Sequence, residues 1–134
     1  MNERVTTAGV ALKDGKVLVA RRIDGGAAGG KWEFPGGKQR YGETVQETLR
    51  REWMEEFSAD IETGDEIFSS EFTNADTLYH LKCLLVTLLS PSLSLSVHTE
   101  VKWVGKTELL SLDFVPSDRE ISRYLVSADV VSAS

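Results

Sequence analysis

The sequence predicts an α/β (α+β) fold, in which helices cover a mixed β-sheet, and three observations support this prediction. Several segments are rich in the branched and aromatic residues that favour strands. Between them, the stretch 43–57 places Val45, Leu49, Trp53 and Phe57 four residues apart, as an amphipathic helix does. A second helical pattern follows Pro116. Strands on both sides of a marked helix, with another helix at the end, favour a covered mixed sheet.

The predicted elements follow in order along the chain. Residues 5–12 and 17–23 are expected to be strands, joined by a hairpin turn that carries the Asp14-Gly15 signal. The glycine-rich stretch 24–30 is expected to be a mobile loop, and a short extended piece, 32–34, ends at Pro35-Gly36-Gly37. Later strands are expected at 67–72, 79–89 and 101–104. Pro116-Ser117-Asp118 is a helix start signal, with Asp118 placed as a possible N-cap.

Length and composition indicate one domain spanning residues 1–134. The chain is 41% hydrophobic, shows no repeat or linker, and is long enough to bury a core. Its net charge of −6 speaks against binding nucleic-acid polymers, which needs a basic surface. No segment is long and apolar enough for a membrane span or a signal peptide. Together with the single cysteine, Cys83, this predicts a cytoplasmic protein, monomeric or homodimeric.

Three carboxylates are concentrated on one face of the predicted helix. At 100° per residue, Glu55 lies about 60° and Glu56 about 40° from Glu52 around the helix axis. One interpretation is a solvated acidic face. The other is a site for hard divalent cations, because Mg²⁺ prefers carboxylate oxygens. The residues upstream favour the second, since Gly36-Gly37 allow close backbone approach and Lys38 can meet phosphate oxygens.

The segment GKQRYGETVQETLRREWMEEFSA, which begins at Gly37, resembles the Nudix box. The polar and glycine positions of that box are all present, at the required spacings: Gly37, Glu43, Arg51, Glu52, Glu55 and Glu56. Three positions depart from it, because Trp53 replaces an aliphatic residue, Ser58 replaces glycine and Ala59 is a small apolar residue. The resemblance implies the Nudix fold, in which helices lie on both sides of a mixed sheet (α/β/α).

Further similarity, in 20–22, 32–38, 98–103 and 114–118, is to the MutT-like branch of that family. This implies Mg²⁺-dependent hydrolysis of a normal or oxidised nucleoside triphosphate to the monophosphate and pyrophosphate, with Mn²⁺ as an alternative ion. Sanitising of the nucleotide pool is the biological role that the resemblance implies. The metal ligands that the resemblance implies are Gly37 through its carbonyl, Glu52, Glu55 and Glu56. Arg51 is expected to orient a box carboxylate. Glu43 is expected either to orient Arg51 or to hold a metal ion through water. Glu52 is the first candidate for the general base and Glu100 the second.

Five residues are candidates for contacts with a small-molecule nucleotide substrate. Arg22 and Lys38 can meet phosphate oxygens. Phe34 and Phe72 either frame the base or belong to the core. Asp118 either reads the base or caps the last helix. The histidines, His80 and His98, lack the spacing of a metal-binding pair, which favours structural or solvent-facing roles.

Other functions were weighed against hydrolysis of triphosphates. Residues 25–31 match the glycine and lysine spacing of a P-loop, but Trp32 stands where that motif needs Ser or Thr, which argues against an ATPase or kinase. A Nudix hydrolase of a nucleotide sugar or ADP-ribose stays open. So does a non-catalytic, nucleotide-binding Nudix module, although such modules usually lose box glutamates. Among triphosphates, oxidised purine and cytosine nucleotides are alternatives.

Overall fold

The computed structural model describes residues 1–132, which form six strands and three helices. The strands are β1 (Asn2–Lys13), β2 (Lys16–Arg22), β3 (Trp32–Glu33), β4 (Ile61–Asn74), β5 (Thr77–Leu88) and β6 (His98–Val104). The helices are α1 (Val45–Phe57), α2 (Lys106–Ser111) and α3 (Pro116–Ser127). None of these helices is long and apolar enough to cross a membrane.

The sheet is mixed, as the sequence predicts. β1 and β5 run parallel, from Asn2 opposite Thr77 to Ala11 opposite Val86, and β4 pairs antiparallel with β5. β1 also enters a hairpin with β2, which pairs antiparallel with both β3 and β6. The predicted hairpin turn is confirmed. Asp14 and Gly15 both have positive φ, 52° and 77°, as the tight primed turn of a two-residue hairpin requires.

Helices cover both faces of the sheet, which confirms the α/β/α arrangement. On one face, Leu49, Trp53 and Phe57 of α1 are fully buried against a cluster that includes Leu18 and Leu84. On the other face, α3 packs its apolar stripe into a second cluster; its members include Val10, Val19, Leu81, Cys83, Ile121 and Leu125. Burial of Leu49 and Phe57 contributes about 1.5–3 kcal/mol each. This burial fixes the rotation of α1 about its axis and so the direction of its polar face.

α1 begins two residues later than the sequence indicates. The expected first residue, Glu43, lies before the helix, because Thr44 is the N-cap. The Thr44 hydroxyl accepts from the Glu47 N–H (3.1 Å), and the Glu47 carboxylate accepts from the Thr44 N–H (2.9 Å). This capping box satisfies two backbone donors, and it leaves Glu43 in the loop that leads into the helix.

Other boundaries also differ from the predictions. β4 starts at Ile61, well before the expected 67. The sequence did not indicate this earlier start, because the strand register shifts at two places around Glu66 and interrupts the alternation of buried and exposed side chains. β6 starts at His98, where its pairing with β2 is irregular. The short α2 is not predicted at all, since only Leu109 of its six residues is buried.

Candidate active site

The loop before α1 is held against the start of β1. The Gly9 and Thr7 N–H groups donate to the carbonyls of Pro35 and Gly37, each at 2.8 Å. Trp53, which replaces the usual aliphatic residue, adds a third tie, because its indole N–H donates to the Pro35 carbonyl at 3.0 Å. The loop and α1 therefore form one rigid unit, and the residue that departs from the box strengthens it.

The Gly37 carbonyl faces Thr7 of β1. It accepts from the Thr7 N–H (2.8 Å) and from the Thr7 hydroxyl (2.9 Å). The expected role of Gly37 as a backbone metal ligand stays a prediction. The lack of a side chain on Gly37 also leaves space for Glu52. A Cβ atom built on Gly37 would lie 2.4–2.7 Å from the three carboxylate atoms of Glu52.

Arg51 holds two carboxylates of the box in a fork. Its Nε and Nη2 donate to the two Glu43 oxygens at 2.6 and 3.0 Å, and its Nη1 donates to Glu52 Oε1 at 2.9 Å. Its Nη2 also donates to the Lys38 carbonyl at 3.0 Å. The expectation that Arg51 orients a carboxylate, and that Glu43 orients Arg51, matches this geometry. Such bidentate pairing fixes direction as well as distance.

Glu43 is the anchor of this fork. It also accepts from the Arg40 N–H (2.8 Å) and the Thr48 hydroxyl (3.0 Å). The Arg51 guanidinium and these donors hold the pKa of Glu43 down at about 2, and Glu43 in turn raises the pKa of Arg51. Both groups stay charged at every ordinary pH, so the fork is permanent.

The pKa of Glu56 is shifted in the opposite direction from that of Glu43. It is buried, and its Oε1 has no hydrogen-bond partner among residues 1–132. Burial, a hydrogen bond with Glu52 and the charge of Glu33 raise its pKa to about 9. Glu55 is more open, with 47% of its side chain exposed. A buried carboxyl group whose Oε1 lacks a partner, beside Glu52 and with no basic residue in the last turn of α1, fits a hard divalent cation.

A cluster that the sequence did not indicate adjoins Glu56. The buried ring of His98 stacks on Phe57, with ring centroids 5.1 Å apart. Its Nε2 lies 2.8 Å from Glu33 Oε2 and 3.7 Å from Glu56 Oε1. Arg22, an expected phosphate contact, pairs with Glu33 at 3.3 Å. The alternation of buried Trp32 and Phe34 around Glu33 could have indicated that Glu33 faces α1. His98 was beyond prediction because its position depends on an irregular strand pairing.

A cavity of about 700 Å³ lies on the other side of the sheet. It is bounded by the glycine-rich loop, the end of β4 and the start of α3; its lining includes Ala28, Lys31, Phe72, Asn74, Val115, Pro116 and Ser117. Phe72 stacks on Tyr79 (5.2 Å), and the Lys38 ammonium lies 5.5 Å from the centre of the Tyr79 ring. Phe72 and Lys38, two of the expected substrate contacts, are thus linked through Tyr79.

Asp118 does not cap the last helix, contrary to one of the two predictions for it. The N-cap is Val115, and Pro116 supplies the helix start. The Asp118 carboxylate is instead buried and accepts from the Phe34 N–H at 2.8 Å. Burial raises its pKa to about 7. The Phe34 ring is 2% exposed and stacks on Phe114 (5.2 Å), so the structure gives Phe34 the core role and not that of a base contact.

Glu100, the second candidate for the general base, lies apart from the box. It pairs with Arg21 at 3.5 Å, with 42% of its side chain exposed. Its neighbour Val101 packs in the cluster beneath α1, so strand alternation directs Glu100 to the opposite face. The structure therefore does not bring Glu100 together with the box glutamates.

Comparison with known proteins agrees with this geometry. The NUDIX domain family profile matches residues 3–125. The chain is 35% identical over 122 residues to a Mycobacterium tuberculosis protein named putative 8-oxo-dGTP diphosphatase 2, covering 89% of this chain and 85% of that one. It is 29% identical over 111 residues to the CTP pyrophosphohydrolase of Escherichia coli K12, covering 83% and 82% of the two chains.

Solved structures share the fold. The solution structure of the E. coli ORF135 protein superposes with a TM-score of 0.82 at 25% identity, covering 95% of this chain and 91% of that one. The crystal structure of a MutT protein from Methanosarcina mazei Go1 gives a TM-score of 0.82 at 22% identity and covers 96% of each chain. The box residues, their arrangement at the end of α1 and the match over nearly the whole chain lead to one conclusion: this protein belongs to the Nudix family of hydrolases.

Proposed function

We propose that this protein hydrolyses a nucleoside triphosphate to the monophosphate and pyrophosphate with Mg²⁺ as cofactor. The observation that carries the proposal is the arrangement of Glu52, Glu55 and Glu56 beside a permanent Arg51–Glu43 fork. Glu56 in particular is a buried carboxyl whose free oxygen has no protein partner in the described chain. A substrate that arrives with divalent ions satisfies this group and has its own negative charge neutralised.

Glu52, Glu55 and Glu56 are the residues that would hold the metal. Bound there, Mg²⁺ supplies charge neutralisation for the phosphates and lowers the pKa of a coordinated water. The protein supplies the positions of these ligands: Arg51 keeps Glu52 from turning towards solvent, and burial of Phe57 and Trp53 keeps the helix face directed at the loop.

Glu52 is our candidate for the group that accepts the proton of the attacking water. It is one of the least exposed box carboxylates, at 16%, and Arg51 binds only one of its oxygens. The other oxygen lies beside Gly37, where the absence of a side chain leaves space. A general base needs such fixed orientation within hydrogen-bond reach of the water.

The cavity on the α3 face and the basic residues near the box are our candidates for substrate binding. We propose that the base lies against Phe72 and that Lys38 and Arg22 meet phosphate oxygens. The names of the two sequence relatives, an 8-oxo-dGTP diphosphatase and a CTP pyrophosphohydrolase, support oxidised purine and cytosine nucleotides as the first substrates to test.

The decisive experiment is a turnover assay across normal and oxidised (d)NTPs, with ADP-ribose and a dinucleotide polyphosphate included. Products are identified by chromatography, with Mg²⁺, Mn²⁺ or EDTA present. We expect pyrophosphate and a nucleoside monophosphate from at least one triphosphate, and no turnover in EDTA. Turnover of ADP-ribose alone would replace the triphosphate proposal, and no turnover in any arm would indicate a binding module.

Substitution of the box glutamates tests the metal assignment. Glu55→Gln and Glu56→Gln are expected to lower kcat by at least about 100-fold, because each removes a charged ligand at the point where transition-state charge is neutralised. Glu62→Gln, at an exposed position of β4, is the matched control and should retain full activity. Folding is checked by thermal unfolding. Full activity in Glu55→Gln or Glu56→Gln would contradict the assignment.

Asp118 tests the proposed base recognition. Its carboxylate lies beneath the first turn of α3, close to Ser117 of the cavity lining, and its raised pKa of about 7 lets it donate or accept near neutrality. Asp118→Asn keeps an acceptor for the Phe34 N–H but changes the donor pattern. We expect kcat/KM to change its ranking among bases, measured on the same panel. An unchanged ranking would leave Asp118 a purely structural residue.

A further inference from the structure

The cluster of Glu33, Glu56 and His98 has the composition of a metal site different from the box site. One carboxylate oxygen from each glutamate and one ring nitrogen of His98 all lie within 4.8 Å of each other. His98 has no exposed side-chain surface, and Glu33 and Glu56 have 13% and 11%. The carboxylates therefore form the route by which an ion can enter from solvent, and the imidazole forms the closed end.

The unsatisfied atoms of this cluster indicate a missing partner. Glu56 Oε1 is buried, has no hydrogen bond in the described chain, and lies 3.7 Å from His98 Nε2. That separation is too long for a hydrogen bond. His98 Nε2 is hydrogen-bonded to Glu33 Oε2 at 2.8 Å, so an ion placed among the three atoms would replace that hydrogen bond and also bind the free Glu56 Oε1.

The distances suit an ion with short ligand bonds. An ion 2.1 Å from each donor, a usual zinc–nitrogen length, subtends about 84° across the 2.8 Å separation of Nε2 and Glu33 Oε2. Across the 3.7 Å separation of Nε2 and Glu56 Oε1 it subtends about 124°. These angles lie on either side of the tetrahedral value, and the stacking of His98 on Phe57 holds the ring plane in place.

We propose that Glu33, Glu56 and His98 bind a divalent transition-metal ion such as Zn²⁺, at a site that shares only Glu56 with the magnesium ligands. The imidazole nitrogen makes this donor set selective, because Mg²⁺ prefers oxygen ligands whereas Zn²⁺ accepts nitrogen readily. Two carboxylates balance the ionic charge, and Arg22 pairs with Glu33 at the edge of the site. His98 Nδ1 has no hydrogen-bond partner in the described chain, so the site lacks the outer support that gives structural zinc sites their highest affinity.

The test observes the ring nitrogens of the two histidines by ¹H–¹⁵N NMR on the metal-stripped full chain. In His80→Gln, His98 is the only remaining histidine, so its signals are assigned without ambiguity. Zn²⁺ added in the presence of saturating Mg²⁺ is expected to shift the His98 Nε2 signal, whereas Mg²⁺ alone should leave this nitrogen uncoordinated. Cys83 cannot compete for zinc, because it is fully buried in the cluster on the opposite face.

Calorimetric Zn²⁺ titrations of the variants complete the test. Glu33→Gln and His98→Gln are each expected to weaken zinc binding by at least about tenfold, since each removes a ligand. His80→Gln, which alters the partly exposed histidine beside Glu3, should bind as the unmodified protein does. An unmoved His98 signal, or unchanged affinity in Glu33→Gln, would overturn the proposal. Neither measurement depends on turnover, so failure here is separate from failure of the proposed hydrolysis.

Discussion

At the residue scale, the adjacent glycines Gly36 and Gly37 are needed for different reasons. A Cβ atom on Gly36 would lie 2.1 Å from the backbone carbonyl oxygen of Thr7, so a side chain there separates the loop from β1. For a Cβ atom on Gly37, the nearest atoms would be the three of the Glu52 carboxylate. The lack of a side chain at Gly36 therefore permits the packing of the loop on β1. The lack of a side chain at Gly37 permits the position of the Glu52 carboxylate.

Gly37→Ala is therefore expected to damage activity more than stability. The added methyl group displaces the Glu52 carboxylate from the Arg51 fork, and a displacement near 1 Å in a catalytic group costs about 100-fold in rate. The measurements are kcat/KM on the best triphosphate and the melting temperature, which should change by only a few degrees.

Gly64→Ala is the matched control for this prediction. Its new Cβ would make ordinary contact with Leu85 at 3.4 Å, so activity and melting temperature should both be kept. Gly36→Ala should instead fail in stability. Full activity of Gly37→Ala would show that Glu52 tolerates displacement and would remove it as the candidate base.

Prediction from sequence worked best for residues that act locally. The box glutamates and Arg51 lie within one helix or beside it, so their spacing alone places them together. His98 and Glu33 come together only through the pairing of β2 with β3 and β6, which includes an irregular step at Arg21–Arg22. No local pattern encodes that step. The same limit applies to Glu100, whose face depends on the register of β6.

At the scale of the element, α1 has a well-capped N-terminus and a strained C-terminus. The Thr44–Glu47 capping box closes its N-terminus. At its C-terminus, Ser58 adopts the left-handed conformation (φ 54°), and its N–H donates to the Met54 carbonyl. Ser58 replaces the glycine of the box, so the sequence correctly identified this position as unusual. The helix still ends as a glycine would end it, with the strain carried by a serine.

Ser58→Gly is accordingly expected to stabilise the protein by about 0.5–1 kcal/mol, because glycine adopts this conformation without a Cβ clash. The measurement is the free energy of unfolding in urea. Ser92→Gly is the control: this exposed serine does not have positive φ, so the change should be neutral or slightly destabilising through the entropy of the unfolded chain. Equal effects from both substitutions would contradict the interpretation of strain.

Elements with one buried face were predictable, and elements without one were not. The four-residue spacing from Val45 to Phe57 predicted α1 to within two residues at its start. The first part of β4 was not predicted, because register shifts near Glu66 break the alternation of its side chains. α2 was not predicted, because a single buried leucine makes no periodic pattern. Their placement depends on neighbours far along the chain.

At the scale of the whole molecule, two of the carboxyl groups counted in the formal net charge of −6 are buried. Glu56 and Asp118 are buried carboxyl groups whose pKa values rise from 4.5 to about 9 and from 3.8 to about 7. In each case burial is the main cause. Both groups therefore disfavour the folded state when they are forced to ionise.

The metal-free protein is expected to lose stability as the pH rises. Between the unfolded and folded pKa values the folded state binds more protons than the unfolded state, so the free energy of unfolding falls with increasing pH. For Glu56 this window extends from about 4.5 to about 9, and for Asp118 from about 4 to about 7. The loss of stability accumulates across both windows. Urea unfolding in EDTA at several pH values measures it.

Magnesium and two substitutions serve as the controls for this pH dependence. At the proposed site Mg²⁺ would replace the proton on Glu56, so added Mg²⁺ is expected to reduce the loss of stability above neutral pH. Glu56→Gln and Asp118→Asn, combined, should flatten the profile even in EDTA. Glu43 acts in the opposite direction: because its pKa is lowered from 4.5 to about 2, its contribution to stability is lost as the pH falls from about 4.5 to about 2. An identical slope in the double variant would contradict the burial argument.

The parallel pairing of β1 with β5 also determines the order in which the chain can fold. Asn2 pairs with Thr77 and Ala11 with Val86, so this contact joins segments about 75 residues apart, and closing such a loop is slow. During synthesis, the β1–β2 hairpin turn can form early, but the rest of β1 has to wait until β5 has left the ribosome. The loop of Gly36 and Gly37 is hydrogen-bonded to β1, so it can reach its final position only after β1 has paired with β5. We therefore expect metal-binding competence to appear late in folding, after the sheet is complete.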